Sequence, residues 1–544
     1  MVEIAYDGNR ETKMRTSIGL ILTLVFSALA PGPVLSSSAN VDNSNISPDF
    51  TYSWRVNEFN AGEVSSLILS EAFPKISPGR IPKTAHCSGI GPGQSSLLRY
   101  SSGSCDPADY PGGRVWANYG NLHLPTCVDE PKDCISEVFA IDQTGSKING
   151  EFIGYVESPW PDVAANNLTK NPRGTSSGIW KISGVMNSLN SDYYIAYFRL
   201  NGGKALIDNG RVVTQFPAEQ QTFNISIRPV ADASLKMRSF TSWDEYCVIC
   251  EDMPLDYRFA VSAIVHQTEM NWYAGRLADP LVQYEKVNDK YNRITVSGQP
   301  VKIPTFQPKV KRSEANPLLV ELMQFCHRSP SLFNSCEGQH IQGSPRMQGG
   351  IKIDFLEAFR ASVGDKATSS RIVWTARSVY PRILSSGKRT SIKERFVQCS
   401  SLDRAAGIST TNAMIFDGYI PEFKGGFLNY SVSGLHYEED GVTKFRGRYD
   451  MALDENIARC IIGYPKTAVS ATVSVVNADG ERSIATTTVG VKNGQLRLSA
   501  NNFTFSDKTI RLQINAKGYA TCVRGDTVRY AKGMRCPVAF KKAN

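Results

Sequence analysis

The chain has no HExxH motif and only six histidines among 544 residues. The paired helical histidines of a zinc protease are therefore excluded. Beyond Ala39 no stretch reaches 18 consecutive apolar residues, so no spanning helix is predicted there. The alternating acids with a central glycine that build a calcium loop are missing. A zinc ribbon needs a second CxxC beside Cys247-Val248-Ile249-Cys250, and there is none. The C-terminus has no hydrophobic run before it, and no cysteine stands beside Ser37-Ser38-Ala39 to take a lipid. A net charge of +9 is mild at this length and does not suggest a dedicated nucleic-acid binder, which would show a concentrated basic face.

What is present begins with an export pattern. From Met14, Arg15 supplies a positive start, Ile18 to Ala30 form an apolar run, and Ser37-Ser38-Ala39 offers a small-residue cleavage site. Residues 1–13 carry Glu3, Asp7 and Glu11 and fit no such start, so Met14 is the expected initiator and 1–39 the expected signal peptide. The composition is 41% hydrophobic, 20% charged and 10% aromatic, which is ordinary for a folded chain with roughly three domains.

Twelve cysteines lie after the signal. An even number in an exported chain reads as disulfides. Proximity suggests Cys87 with Cys105, Cys127 with Cys134, Cys326 with Cys336, Cys399 with Cys460, and Cys522 with Cys536, leaving Cys247 with Cys250. Asp244 and Glu245 would raise the pKa of a redox Cys247, so structural cystines are the better reading. Cys326, His327, Cys336 and His340 fit no standard finger spacing. No cofactor and no metal site is expected.

Residues 40–125 are rich in Gly, Ser and Pro and read as a loop-rich, cysteine-containing region with little regular structure. From Cys134, CISEVFAIDQTGSKINGEFIGYV reads as a strand, a polar turn and a returning strand. SDYYIAYFRL, TFNISIRPV, DYRFAVSAIVH and RITVSGQPVKI continue the strand texture through a β-rich segment, 126–310. In 311–380 two helices are predicted. The first is capped by Asn316, has Pro317 at its first position, and places Leu318, Leu319, Leu322, Met323 and Cys326 on one face. The second carries Phe355, Leu356 and Phe359 on one side and stops at Gly364. Closely spaced strands with turn signals at Glu439-Asp440-Gly441 and Ala478-Asp479-Gly480 make 381–516 β-sandwich-like. The predicted fold is mainly β: sandwich-like domains, a small α-containing insertion, and a disulfide-closed C-terminal hairpin within 517–544.

PKDCISEVFAIDQTG, VGDKATSSRIVWTARSV, IARCIIGYPKTAVSATVSVVNADGE and GQLRLSANNFTFSDKTIRLQI resemble a group of uncharacterised secreted actinobacterial proteins. The tail is similar to a short C-terminal module of such proteins, with Cys522-Val523-Arg524-Gly525 at its start and Cys536-Pro537-Val538-Ala539-Phe540-Lys541-Lys542 at its end. The resemblance covers most of 126–544. It implies an exported, surface-associated protein and brings no catalytic residue.

Gly174-Thr175-Ser176-Ser177-Gly178 matches GxSxG, but NLTKNPR before it is polar, where a nucleophile elbow needs an apolar strand. A surface loop is the better reading. Carboxylates such as Trp243-Asp244-Glu245 and Glu438-Glu439-Asp440 single out no glycosidase pair. Arg524-Gly525-Asp526 spells an adhesion tripeptide, and matches of three residues are common by chance. Trp180, Tyr193, Tyr194, Trp272 and Tyr273 could stack on sugars but read as core.

The tail has the one concentrated basic patch. Arg524, Arg529, Lys532, Arg535, Lys541 and Lys542 fall in a unit with few apolar residues, which the Cys522–Cys536 bridge is expected to hold in shape. Such a cluster attracts polyanions. The expected partner is an anionic cell-wall polymer or polysaccharide, with no nucleic acid and no membrane span after signal cleavage. The expected function is a non-enzymatic, envelope-associated binding or adhesion protein. The alternative is a secreted hydrolase acting on polysaccharide.

Overall fold

The computed structural model describes residues 122–156, 172–201, 222–234, 251–266, 272–328, 351–379, 407–463 and 469–542, with breaks of one to four residues in the last two, and short pieces elsewhere from 51 to 55 onward. The expected signal peptide lies outside the described residues.

The fold is mainly β, and its centre is a sheet of twelve strands. In spatial order its main path runs Thr486–Lys492, Gln495–Thr504, Arg446–Asp454, Gly407–Thr411, Trp272–Arg276, Ser369–Val379, Thr222–Val230, Tyr193–Asn201, Gly178–Lys181 and Glu151–Tyr155. Val301–Thr305 and Leu122–His123 pair beside it. All these pairings are antiparallel except one. Trp272–Arg276 runs parallel to Gly407–Thr411, so a single sheet passes through both of the sequence segments 126–310 and 381–516.

Side chains alternate between the faces of a strand, and each half of this sheet buries a different face. On one face Tyr194, Phe198, Phe223, Ile225, Ile227, Trp374 and Tyr273 pack against Phe259, Val261, Ile294 and Val296. The latter belong to a five-stranded antiparallel sheet of order Ala278–Lys286, Tyr291–Gln299, Arg258–His266, Cys134–Ile141 and Lys147–Asn149. On the other face, toward the far end, Trp272, Tyr449, Met451 and Leu498 pack against Tyr430, Val432, Ile510 and Leu512. Those come from a six-stranded sheet containing Phe427–Ser433, Lys508–Ala516 and Val469–Asn477. The sandwich character expected from sequence is present as three staggered layers.

Gly150 is where the chain leaves one layer for the other. The turn at 142–146 returns Lys147–Asn149 onto Cys134–Ile141, and Glu151–Tyr155 then joins the large sheet. A Cβ at Gly150 would stand 2.7 Å from the Val138 carbonyl oxygen, so the crossing requires glycine.

Both predicted helices form, as Pro317–Arg328 and Ile351–Val363. Asn316 caps the first, its Oδ1 accepting from the Leu319 N–H at 2.9 Å. Its Nδ2 donates to the Ala358 carbonyl at 2.6 Å and to Ser362 at 2.8 Å, clamping the second helix to the first. Leu319, Met323, Phe355, Leu356 and Phe359 are buried together. Leu318, expected on the buried face, is 45% exposed, because position 319 rather than 318 is aligned with Met323 at the i, i+4 spacing. Gly364 ends the second helix at φ +94°, its N–H donating to Arg360.

A third helix, Glu455–Ile462, was not expected. Asp454 accepts from the N–H groups of Asn456 and Ile457, and Gly463 closes it in the left-handed conformation. In the region expected to have little regular structure, 40–125, the short strands Thr51–Arg55, His86–Ile90, Tyr100–Ser101, Arg114–Asn118 and Leu122–His123 form. Glu438–Gly441 makes a tight turn closed by Gly441 N–H to the Glu438 carbonyl. Ala478 to Gly480 lie outside the described residues.

Three cystines have described side chains: Cys127–Cys134, Cys399–Cys460 and Cys522–Cys536. The side chains of Cys87, Cys105, Cys247, Cys250, Cys326 and Cys336 lie outside the described residues, as do those of His327 and His340.

Candidate functional site: the basic C-terminal sheet

The tail is a hairpin with a third strand added. Tyr519–Arg524 pairs antiparallel with Thr527–Lys532 on one side and with the short strand Lys541–Lys542 on the other. Gly525, at φ +57°, sits in the turn. Cys522 is the centre of the unit: it stands opposite Arg529 on one neighbour and Lys542 on the other, and bonds to Cys536.

The tail does not stand alone. Val523 and Tyr530 pack against the core shared by the large and six-stranded sheets, and Ala520 and Cys522, on the opposite face by register, are also fully buried. The low apolar content of the segment suggested a unit held in shape by its bridge. The structure adds a second cause, because the tail borrows a core from the preceding domain.

Register divides the six basic residues. Arg524 and Arg529 share the Cys522 face, with Lys542 registered beside them. Their guanidinium carbons each lie 5.1 Å from the centroid of the Phe540 ring, within cation–π range. The chain brings Phe540 back over the hairpin through a turn in which the Phe540 N–H donates to the Pro537 carbonyl at 3.0 Å and Ala539 is left-handed at φ +70°. Lys532, opposite Tyr519, and Lys541, opposite Val523, belong to the other face, the one that meets the core. Arg535 lies in the connection between the second and third strands. Arg524, Arg529, Lys532, Arg535, Lys541 and Lys542 are all exposed. No ion pair among the described residues involves any of them. Sequence reasoning named Phe540 within the tail motif but gave it no role, because its place depends on the third strand.

The other motifs take definite positions. Trp180, Tyr194, Trp272 and Tyr273 are buried and belong to the cores, so they form no sugar-stacking surface; Tyr193 is half-buried with the Lys181 ammonium 5.6 Å from its ring centroid. Glu438-Glu439-Asp440 is the tight turn already described, with Glu438 paired to Lys302. Trp243, Asp244 and Glu245 lie outside the described residues, as does Asp526 of the adhesion tripeptide.

The GxSxG segment is not a surface loop. Thr175, Ser176 and Ser177 are 1%, 5% and 1% exposed. The polar residues before it are misleading because the covering contacts come from far away: His123 pairs with Thr175 as an isolated bridge, and Ser177 Oγ lies 2.8 Å from His123 Nδ1. A strand, Gly178–Lys181, follows the serines, whereas a nucleophile elbow is followed by a helix.

Two further histidines are each held by one aspartate in the same manner. Asp133 accepts from His266 N–H at 3.0 Å and lies 2.8 Å from its Nδ1. Asp365 accepts from His436 N–H at 3.0 Å and contacts its Nδ1. Each pair ties residues far apart in sequence, and among the described residues no group of three or more His, Cys, Asp or Glu side chains could hold a metal ion.

No protein-family model matches the chain, and no curated protein matches it.

Proposed function

We propose that the protein is exported, remains associated with the cell envelope, and acts there as a non-enzymatic binding or adhesion protein, retained on anionic wall polymers by its basic C-terminal sheet. The observation that carries this reading is the two-sided build of the tail. One face is seated on the core through Val523 and Tyr530. The other offers Arg524 and Arg529 around Phe540, unpaired with acid among the described residues. Cationic side chains fixed on a rigid, disulfide-closed platform lose less conformational freedom on binding than free side chains would. An anionic polymer with aligned charges gains most from such a surface. Cystines also fit an oxidising, extracytoplasmic setting.

The test is partition of purified protein between envelope preparations and medium across a salt series. An Arg524→Gln/Arg529→Gln variant, which leaves the seat on the core intact, is run beside the parent and beside a chain ending at Ala516. Binding that weakens with salt and drops in both altered chains supports the reading. Equal partition of all three would refute it.

A further inference from the structure

Three polar groups converge on one peptide bond in the buried 174–178 segment. Ser177 Oγ is 2.8 Å from His123 Nδ1. Thr175 Oγ1 donates to the Ser176 carbonyl oxygen at 2.9 Å, and that carbonyl belongs to the peptide bond immediately before Ser177. The backbone is held on both sides, by Thr175 N–H to the His123 carbonyl and by Val156 N–H to the Ser177 carbonyl, each at 2.9 Å. The His123 ring is itself fixed, stacked on Tyr197 with centroids 5.2 Å apart.

A serine hydroxyl can always reach the carbonyl carbon of its own preceding peptide bond through a five-membered ring. What an ordinary serine lacks is a base on its oxygen and a donor on that carbonyl. Here both are present. His123 is placed to take the hydroxyl proton, and Thr175 is placed to stabilise charge on the Ser176 oxygen. We propose that the chain cleaves itself between Ser176 and Ser177 by an N-to-O acyl shift.

In the first step the Ser177 Oγ proton passes to His123 Nδ1 as Oγ attacks the Ser176 carbonyl carbon. A C–O bond forms, and the carbonyl electron pair moves onto the oxygen held by Thr175. The C–N bond then breaks as His123 returns the proton to the departing nitrogen. This leaves an ester from Ser176 to Ser177 Oγ and a free amine on Ser177. Water adds to the ester, and the products are a carboxylate at Ser176 and a regenerated Ser177 hydroxyl. This is a single event per chain, compatible with a protein that turns over no substrate. The cut leaves both pieces in one sheet, because Gly178–Lys181 remains paired with Glu151–Tyr155 and with Tyr193–Asn201.

The experiment incubates the folded full-length chain with and without hydroxylamine, which intercepts esters but spares amides on the same timescale. Products are then separated in denaturant and weighed by mass spectrometry. The expected result is two fragments, one beginning at Ser177, that co-elute under native conditions. Hydroxylamine should speed their appearance several-fold and leave a hydroxamate at Ser176. Ser177→Ala should stay a single chain with an unchanged melting temperature, and Ser177→Cys should cleave through a thioester. Should Ser177→Ala fail to fold, trapping on the unaltered chain decides the matter alone. A parent chain that stays intact through prolonged incubation with hydroxylamine would overturn the proposal. So would fragments that form without hydroxylamine and whose new terminus lies elsewhere.

Discussion

The backbone N–H of Asp279 donates to the carboxylate of Asp450 at 3.2 Å, across 171 residues of sequence. Asp279 belongs to the five-stranded sheet and Asp450 to the large one, so the contact clasps two layers. Asp279 adopts φ +45° to make it, at a register shift between Ala278 and Leu281. Three arginines complete the clasp. Arg448 Nε reaches Asp450 at 2.5 Å, while Arg258 and Arg497 reach Asp279 at 3.3 and 3.1 Å.

Asp450 is 2% exposed and Asp279 is well exposed, so the two should respond unequally to mutation. Asp450→Ala leaves Arg448 and Ser499 without their acceptor and is expected to cost about 3 kcal/mol. Asp279→Ala, losing solvent-screened pairs, is expected to cost under about 1 kcal/mol from charge. Urea unfolding of both variants tests this, and equal losses would contradict the account.

Arg276 is a second buried anchor. It is 1% exposed, donates to the carbonyls of Thr411, Ala413 and Met414, and has its guanidinium carbon 4.1 Å from the Phe416 ring centroid. Arg276→Met keeps the bulk but strands those carbonyls. The expected loss is about 3 kcal/mol, with faster amide exchange concentrated in 411–416. Exchange that rises uniformly over the chain would argue against a local anchor.

In the tail, Phe540→Leu removes the ring under Arg524 and Arg529 while keeping an apolar side chain. Two exposed cation–π contacts are worth about 0.5–1 kcal/mol each. Envelope binding by this variant should weaken several-fold at low salt, with only a small fall in the global unfolding midpoint. Binding equal to the parent would mean that the guanidinium groups need no platform.

Acid should weaken the Asp365–His436 contact that follows the second helix. Burial alone would raise the Asp365 pKa, but hydrogen bonds from the His436 side chain and backbone, aided by Arg360, outweigh it and hold the carboxyl below its ordinary 3.8. A pKa lower in the folded than in the unfolded chain means that this contribution is fully present above about pH 4. It is lost as the pH falls through the folded value. The parent should therefore lose more stability than Asp365→Asn between neutral pH and about pH 3, and parallel pH profiles would contradict this.

Much of the fold was legible because local chemistry decided it. Asn316, Pro317 and Gly364 marked helix ends by capping geometry that needs no tertiary partner. The runs around Tyr194, Ile225 and Val261 marked strands by β-branched and aromatic content. The Glu455–Ile462 helix escaped because eight residues carry too few turns for a period to show, although Asp454 and Gly463 punctuate it. What sequence could not give was juxtaposition. His123 meets Ser177, and Asp133 meets His266, only because strand order places them side by side. The same holds in the tail, where cations adjacent in sequence were divided between two faces by register, and Phe540 reached them only through a returning strand.

The parallel pairing of Trp272–Arg276 with Gly407–Thr411 also sets a schedule for synthesis. The strand at Thr222–Val230 needs Ser369–Val379 as its neighbour, and Arg446–Asp454 needs Gln495–Thr504. The first half of the molecule must wait, edge exposed, until most of the chain has emerged. Such long-range closure is slow and invites aggregation. A chain crossing a membrane in extended form would need protection on the far side until its last strands arrive, and cutting it between residues 310 and 381 should yield two insoluble halves rather than two domains.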